Sequence, residues 1–142
     1  MMAWIAALGV LAAASNGAAG ASLDTYRGSE RALLIFTPSE HDPRLSAQTT
    51  ALAQAAAGLA ERDMVVLIVG PRRIFTTFGR PAPEAEARPL RRRFAIADDV
   101  FRVLLVGKDG GVKLTADAPL PAADVFAVID AMPMRQREMR ER

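Results

Sequence analysis

The 142-residue chain has no cysteine, one histidine, one tryptophan and one tyrosine. Without cysteine there is no disulfide, no thiolate metal site, no thiol redox catalysis, no cysteine nucleophile and no lipoprotein attachment point. A single histidine excludes a multi-histidine metal cage. Net charge is small too. Lys plus Arg number 18 against 16 Asp plus Glu, a net +2, too little to mark a nucleic-acid binder. What is present is 51% hydrophobic and 24% charged, the composition of a foldable chain. Its length suits one compact domain.

Residues 1 to 23 carry no charged side chain. Trp4, Ile5, Leu8, Val10 and Leu11 lie among alanines in an apolar run of signal-peptide length. Ala19-Gly20-Ala21 then forms a small-x-small cleavage pattern before Ser22. The run Ala3 to Ala14 is too short to cross a bilayer, which takes ~20 residues. The expectation is a signal peptide over residues 1–21 and a periplasmic or secreted mature chain. That chain divides into a domain over 22–133 and a charged tail over 134–142.

Residues 31–37 and 64–69 are short apolar runs without alternation, the pattern of strands buried on both faces in a parallel sheet. Between them, Asp42 is a good N-cap and Pro43 suits the first helical position. Leu45, Leu52, Ala56 and Leu59 follow at helical spacing, predicting one helix that ends near Arg62. Residues 70–88, broken by Pro71, Gly79, Pro81 and Pro83, read as a long irregular connection. A short helix is expected over 84–96, with Leu90, Phe94 and Ala87 inward. Residues 101–106 form a third buried strand. Asp109-Gly110 supplies a hairpin turn, and the alternating 112–115 an edge strand. A helix over 121–132, stopped by Pro133, closes the domain. The expected core is Leu34, Phe36, Leu52, Leu59, Val66, Ile68, Phe94, Leu104, Phe126 and Ile129.

The order β-α-β-loop-α-β-β-α is that of a thioredoxin-like α/β three-layer sandwich. Its mixed sheet has a parallel βαβ half and an antiparallel ββα half. Further residues carry a resemblance: Leu23-Asp24-x-Tyr26-Arg27, Arg31-x-Leu33-Leu34-Ile35-Phe36-x-Pro38-Ser39 with Asp42-Pro43-Arg44, Leu90-Arg91-x-Arg93-Phe94, the Gly107-Lys108-Asp109-Gly110-Gly111 turn and the Ile129-Asp130-x-Met132-Pro133-Met134-Arg135 ending. Together they resemble bacterial members of the domain-of-unknown-function 4174 family over nearly all of residues 23–140. The resemblance implies a thioredoxin-like, peroxiredoxin-related fold and an exported chain. It carries over no catalytic residue.

In thioredoxins and peroxiredoxins the reactive thiol sits just after the first core strand, where a helix N-terminus lowers its pKa. Here that stretch, Pro38 to Arg44, holds no sulfur. The stretch before the third strand, Ala97 to Phe101, lacks the facing proline. Thiol–disulfide exchange and thiol peroxidase activity are therefore excluded. The loop retains Ser39, His41, Asp42 and Arg44 as weak candidates for binding a small anion at the helix N-terminus. Capping by Ser39 and Asp42 explains the same residue types without a ligand. Glu40-His41-Asp42 lacks the further ligands of a metal site, and no Gly-x-Ser-x-Gly elbow surrounds a serine. Arg72-Arg73 and Arg91-Arg92-Arg93 read as solvated basic faces, with Glu84 and Glu86 near enough to offset the latter in part. No cofactor is implied, no nucleic acid, and no membrane once a leader is removed. Two functions compete: a noncatalytic module binding an envelope protein or a small anionic ligand, and an enzyme of non-thiol chemistry built on the loop after the first strand.

Overall fold

The computed structural model describes residues 23–142, so the expected signal peptide lies outside the described residues. The first core residues are Leu23 and Tyr26, both buried. The elements run β1 (Arg31–Phe36), α1 (Pro43–Ala53), α2 (Ala56–Glu61), β2 (Met64–Val69), β3 (Arg73–Phe75), β4 (Ala85–Glu86), α3 (Arg88–Phe94), β5 (Arg102–Val106), β6 (Val112–Ala116), α4 (Ala122–Asp130) and α5 (Pro133–Arg140). One six-stranded sheet has the order β4-β3-β2-β1-β5-β6. β1 pairs parallel with β2 and antiparallel with β5, and β6 lies at an edge as its alternation requires.

Strand alternation divides the core into two halves. Ala32, Leu34 and Phe36 of β1 join Val65, Leu67, Leu90 and Tyr26 on one face. Leu33 and Ile35 join Leu45, Leu52, Leu59, Val125 and Ile129 on the other. The sheet is thus the middle of three layers, with α3 on one side and α1, α2 and α4 on the other. Two expected core residues, Phe94 and Phe126, are only partly buried. Each lies under a guanidinium: Arg93 is 5.4 Å from the Phe94 ring and Arg62 is 4.1 Å from the Phe126 ring.

Three details differ from the sequence reading. The single helix expected to end near Arg62 is broken at Gln54–Ala55. The break brings Gly58 so close to Phe126 that a Cβ there would lie 2.7 Å from the ring. Residues 70–88 are not wholly irregular, since β3 and β4 extend the sheet beyond β2. The helix expected over 84–96 is confined to 88–94, because Ala95 takes a left-handed φ of 55°. There Ile96 N–H returns to Arg91 O and Ala95 N–H to Arg92 O, the paired bonds of a Schellman closure. The charged tail is the helix α5. Pro133 both ends the chain's previous helical run and sits at the first position of this one, where a missing N–H costs nothing.

Candidate functional site

The loop after β1 satisfies its own polar groups. Thr37 is buried, and its hydroxyl donates to Ser39 O at 2.7 Å. The Ser39 hydroxyl accepts from His41 N–H at 3.0 Å. Asp42 caps α1 by accepting from Arg44 N–H at 2.8 Å, and the same carboxylate receives the Arg44 guanidinium at 3.0 and 2.8 Å. That guanidinium holds the Asp42 carboxyl below its usual range and lies 5.0 Å from the Phe101 ring. Glu40 accepts two bonds from Arg73 of β3, at 3.0 and 2.9 Å, and is likewise held low by them. Arg73 also donates to Glu84 at 3.1 Å. The loop and the 70–88 connection therefore meet through Glu40, Arg73 and Glu84. Ser39, His41, Asp42 and Arg44 follow one another along a single turn, and none lines a described cavity.

Behind this loop lies a residue the sequence reading placed in solvent. Arg91 is 5% exposed. Its guanidinium donates to Thr37 O at 2.8 Å, Val69 O at 3.2 Å, Gly70 O at 3.1 and 3.2 Å and Ala97 O at 2.9 Å. It ties together the carboxyl ends of β1 and β2 and the approach to β5. Burial lowers its pKa, opposed by the charge of Asp98. No carboxylate reaches it within ion-pair distance among the described residues. The signal was in the sequence: Ala87, Leu90, Arg91 and Phe94 stand at i, i+3, i+4 and i+7, so Arg91 falls within an inward-facing stripe.

The opposite end of the sheet also buries arginine, but against carboxylates. Arg31, 1% exposed, forks onto Glu138 at 3.2 and 3.1 Å and donates to Arg62 O at 2.9 Å. Lys108 bridges Glu138 at 2.7 Å and Asp63 at 2.9 Å. Arg135, 1% exposed, pairs with Asp130 at 3.1 Å and Glu61 at 3.2 Å, and Arg62 joins Asp130 at 2.9 Å. For Glu138, burial pushes the carboxyl up, but the bonds from Arg31 and Lys108 outweigh it and hold the group low. Arg62 holds Asp130 low, assisted by Arg135 against a smaller effect of burial. These pairs clamp α5 to the sheet.

A cavity of about 730 Å³ lies beside β2. Ala56, Ala57, Leu59 and Ala60 of α2 form one wall, and Phe78, Gly79 and Arg80 face it. Met64 and Val66 line it as well. Only Ile68 and Val69 of β2 pair with β3, so no strand among the described residues flanks Met64 to Leu67 on that side. Thr37 N–H bonds to Val69 O and Arg31 N–H to Asp63 O, so odd-numbered residues turn their main chain toward β1. Gly70 N–H bonds outward to Arg73 O. Alternation then turns the main chain of Met64 and Val66 outward, where no strand receives it. Among the described residues no group of three or more His, Asp or Glu is placed to hold a metal, and no helix is long and apolar enough to cross a membrane.

The solved structures most informative for this arrangement share the fold. Reduced 2-Cys peroxiredoxin of Plasmodium vivax matches with a TM-score of 0.59 and 16% identity, over 81% of this chain and 84% of that one. The exposed lipoprotein thioredoxin Etrx1 of Streptococcus pneumoniae matches with a TM-score of 0.55 and 14% identity, over 78% of this chain and 90% of that one. In sequence, the chain is 28% identical over 126 residues to Sushi repeat-containing protein SRPX2 of Xenopus laevis, and 29% identical over 133 residues to coiled-coil domain-containing protein 80 of Danio rerio. Those matches cover 87% and 82% of this chain but only 28% and 15% of the two relatives. The sequence pattern described as Domain of unknown function (DUF4174) matches residues 22–138, and the chain belongs to that family.

Proposed function

We propose that this chain is an exported, cysteine-free thioredoxin-like module of the cell envelope that binds an extended segment of a partner protein. Thiol–disulfide exchange and thiol peroxidase chemistry have no nucleophile in it, since the chain contains no cysteine. The observation that carries the binding role is the cavity of about 730 Å³ beside β2. Its size falls in the range of ligand sites, and its walls are largely apolar. The outward main chain of Met64 and Val66 supplies donors and acceptors at the two-residue repeat of a strand, the means by which sheet edges capture extended peptides. Side chains of such a segment would meet the alanines of α2 and the Phe78 ring. A non-thiol enzyme built on Ser39, His41, Asp42 and Arg44 draws less support, because Asp42 and Arg44 neutralise each other. Export is supported by the uncharged, apolar residues 1–23 and the cleavage pattern ending at Ala21.

Two measurements test this reading. Protein recovered from the cell envelope should begin near Ser22 on amino-terminal sequencing; recovery from the cytosol with Met1 in place would contradict export. On an array of immobilised extended peptides, the protein should select apolar sequences. Ala60→Trp, at an exposed position on the cavity wall, should abolish that selection without lowering the melting temperature. Unchanged selection by this variant would remove the cavity from the function.

A further inference from the structure

We infer that the carboxyl end of the sheet holds a second binding site, for a doubly charged oxyanion of the phosphate type. Arg88, Arg91 and Arg92 stand at i, i+3 and i+4 on α3 and share one face. All three line a cavity of about 330 Å³, completed by Pro71, Ala95, Ile96, Ala97 and Asp98. Arg91 is buried and held rigid by the carbonyls of Thr37, Val69, Gly70 and Ala97. Its bonds to neutral acceptors leave its full positive charge in place. Arg88 and Arg92 are exposed and join no ion pair among the described residues. Like charges at i, i+4 repel, so the helix gains from an anion placed between them.

The opposing charges are few. Asp98 lines the same cavity and acts on Arg91 from a distance, without coming within ion-pair range of any of the three arginines. The carboxyl end of α3 adds a partial negative charge, which one carboxylate and one short helix together leave smaller than three guanidiniums. A planar guanidinium matches a phosphate or carboxylate edge with two parallel bonds. Arg88 and Arg92 can each offer such an edge, while Arg91, most of whose N–H groups are given to carbonyls, adds its charge; together they favour a dianion with several acceptor oxygens over a single carboxylate. The site differs from the cavity beside β2 and shares no lining residue with it. Its failure would leave the peptide-binding role untouched, and loss of that role would leave this site standing.

The test is calorimetric titration of the full chain with inorganic phosphate and, separately, with glycerol phosphate, at constant ionic strength set by sodium chloride. Saturable binding of at least one is expected, and the tighter of the two identifies free phosphate or a phosphate monoester as its source. Arg88→Gln combined with Arg92→Gln should weaken that binding about tenfold or more, as lost charge-assisted bonds do. Both side chains are exposed, so the melting temperature should hold. Asp98→Asn should strengthen binding. No saturable binding of either compound, or equal binding by the double variant, would overturn the site.

Discussion

The two ends of one sheet bury arginine in opposite ways. At the amino end, Arg31 and Arg135 meet carboxylates of Glu138, Asp130 and Glu61, and Lys108 completes the set. At the carboxyl end, Arg91 meets only main-chain carbonyls. The difference separates two uses of the same side chain. Paired with carboxylates, arginine neutralises charge and fastens a helix, here α5. Bonded to carbonyls, it joins strand ends and loop while its charge remains. The loop where thioredoxins keep a thiol thus rests on a fixed cation in a chain that has no thiol.

The largest effect should come from Arg91→Ala. It leaves carbonyls of Thr37, Val69, Gly70 and Ala97 without their buried donor, and we expect a loss of about 3–5 kcal/mol in urea unfolding. Arg31→Met should cost less, about 2 kcal/mol. A buried charge pair is broken, but Glu138 keeps Lys108 and lies partly in solvent. Equal losses in the two variants would erase the distinction between the ends.

Acid sharpens the same comparison. Asp130 and Glu138 have lowered folded pKa values, so their stabilisation is complete above the ordinary carboxyl range. It is lost as pH falls through the lowered values, in the window below about pH 4. Carbonyls do not titrate there. Hydrogen exchange should therefore show α5 loosening in acid while protection near Arg91 persists. Simultaneous loss at both ends would contradict separate clamps. The smallest effect is expected for Asp42→Ala. It removes a helix cap on an exposed loop and releases Arg44, and the melting temperature should fall by only a few degrees.

Much of this frame was legible. The non-alternating runs of β1, β2 and β5 announced buried central strands, and Asp42-Pro43 and Asp109-Gly110 marked a helix start and a turn. β3 and β4 were not legible, because strands of three and two residues carry no periodicity. The break at Gln54–Ala55 hid in a run of alanines that suits any helical register. The buried arginines escaped because composition assigns arginine to the surface. Position contradicts that rule at Arg31, inside a run read as buried on both faces, and at Arg91, inside an inward-facing stripe. The cavity beside β2 depends on where β3 leaves the strand, a tertiary fact with no local signature.

Capture of an extended segment in the cavity beside β2 requires that the main chain of Met64 and Val66 face outward without a strand partner. Residue-resolved amide hydrogen exchange on the free protein tests it. Val65 and Leu67, facing β1, should be strongly protected, while Met64 and Val66 exchange much faster, as amides without a strand partner do. Equal protection of Val65 and Val66 would mean that the edge is already covered, and would contradict the account.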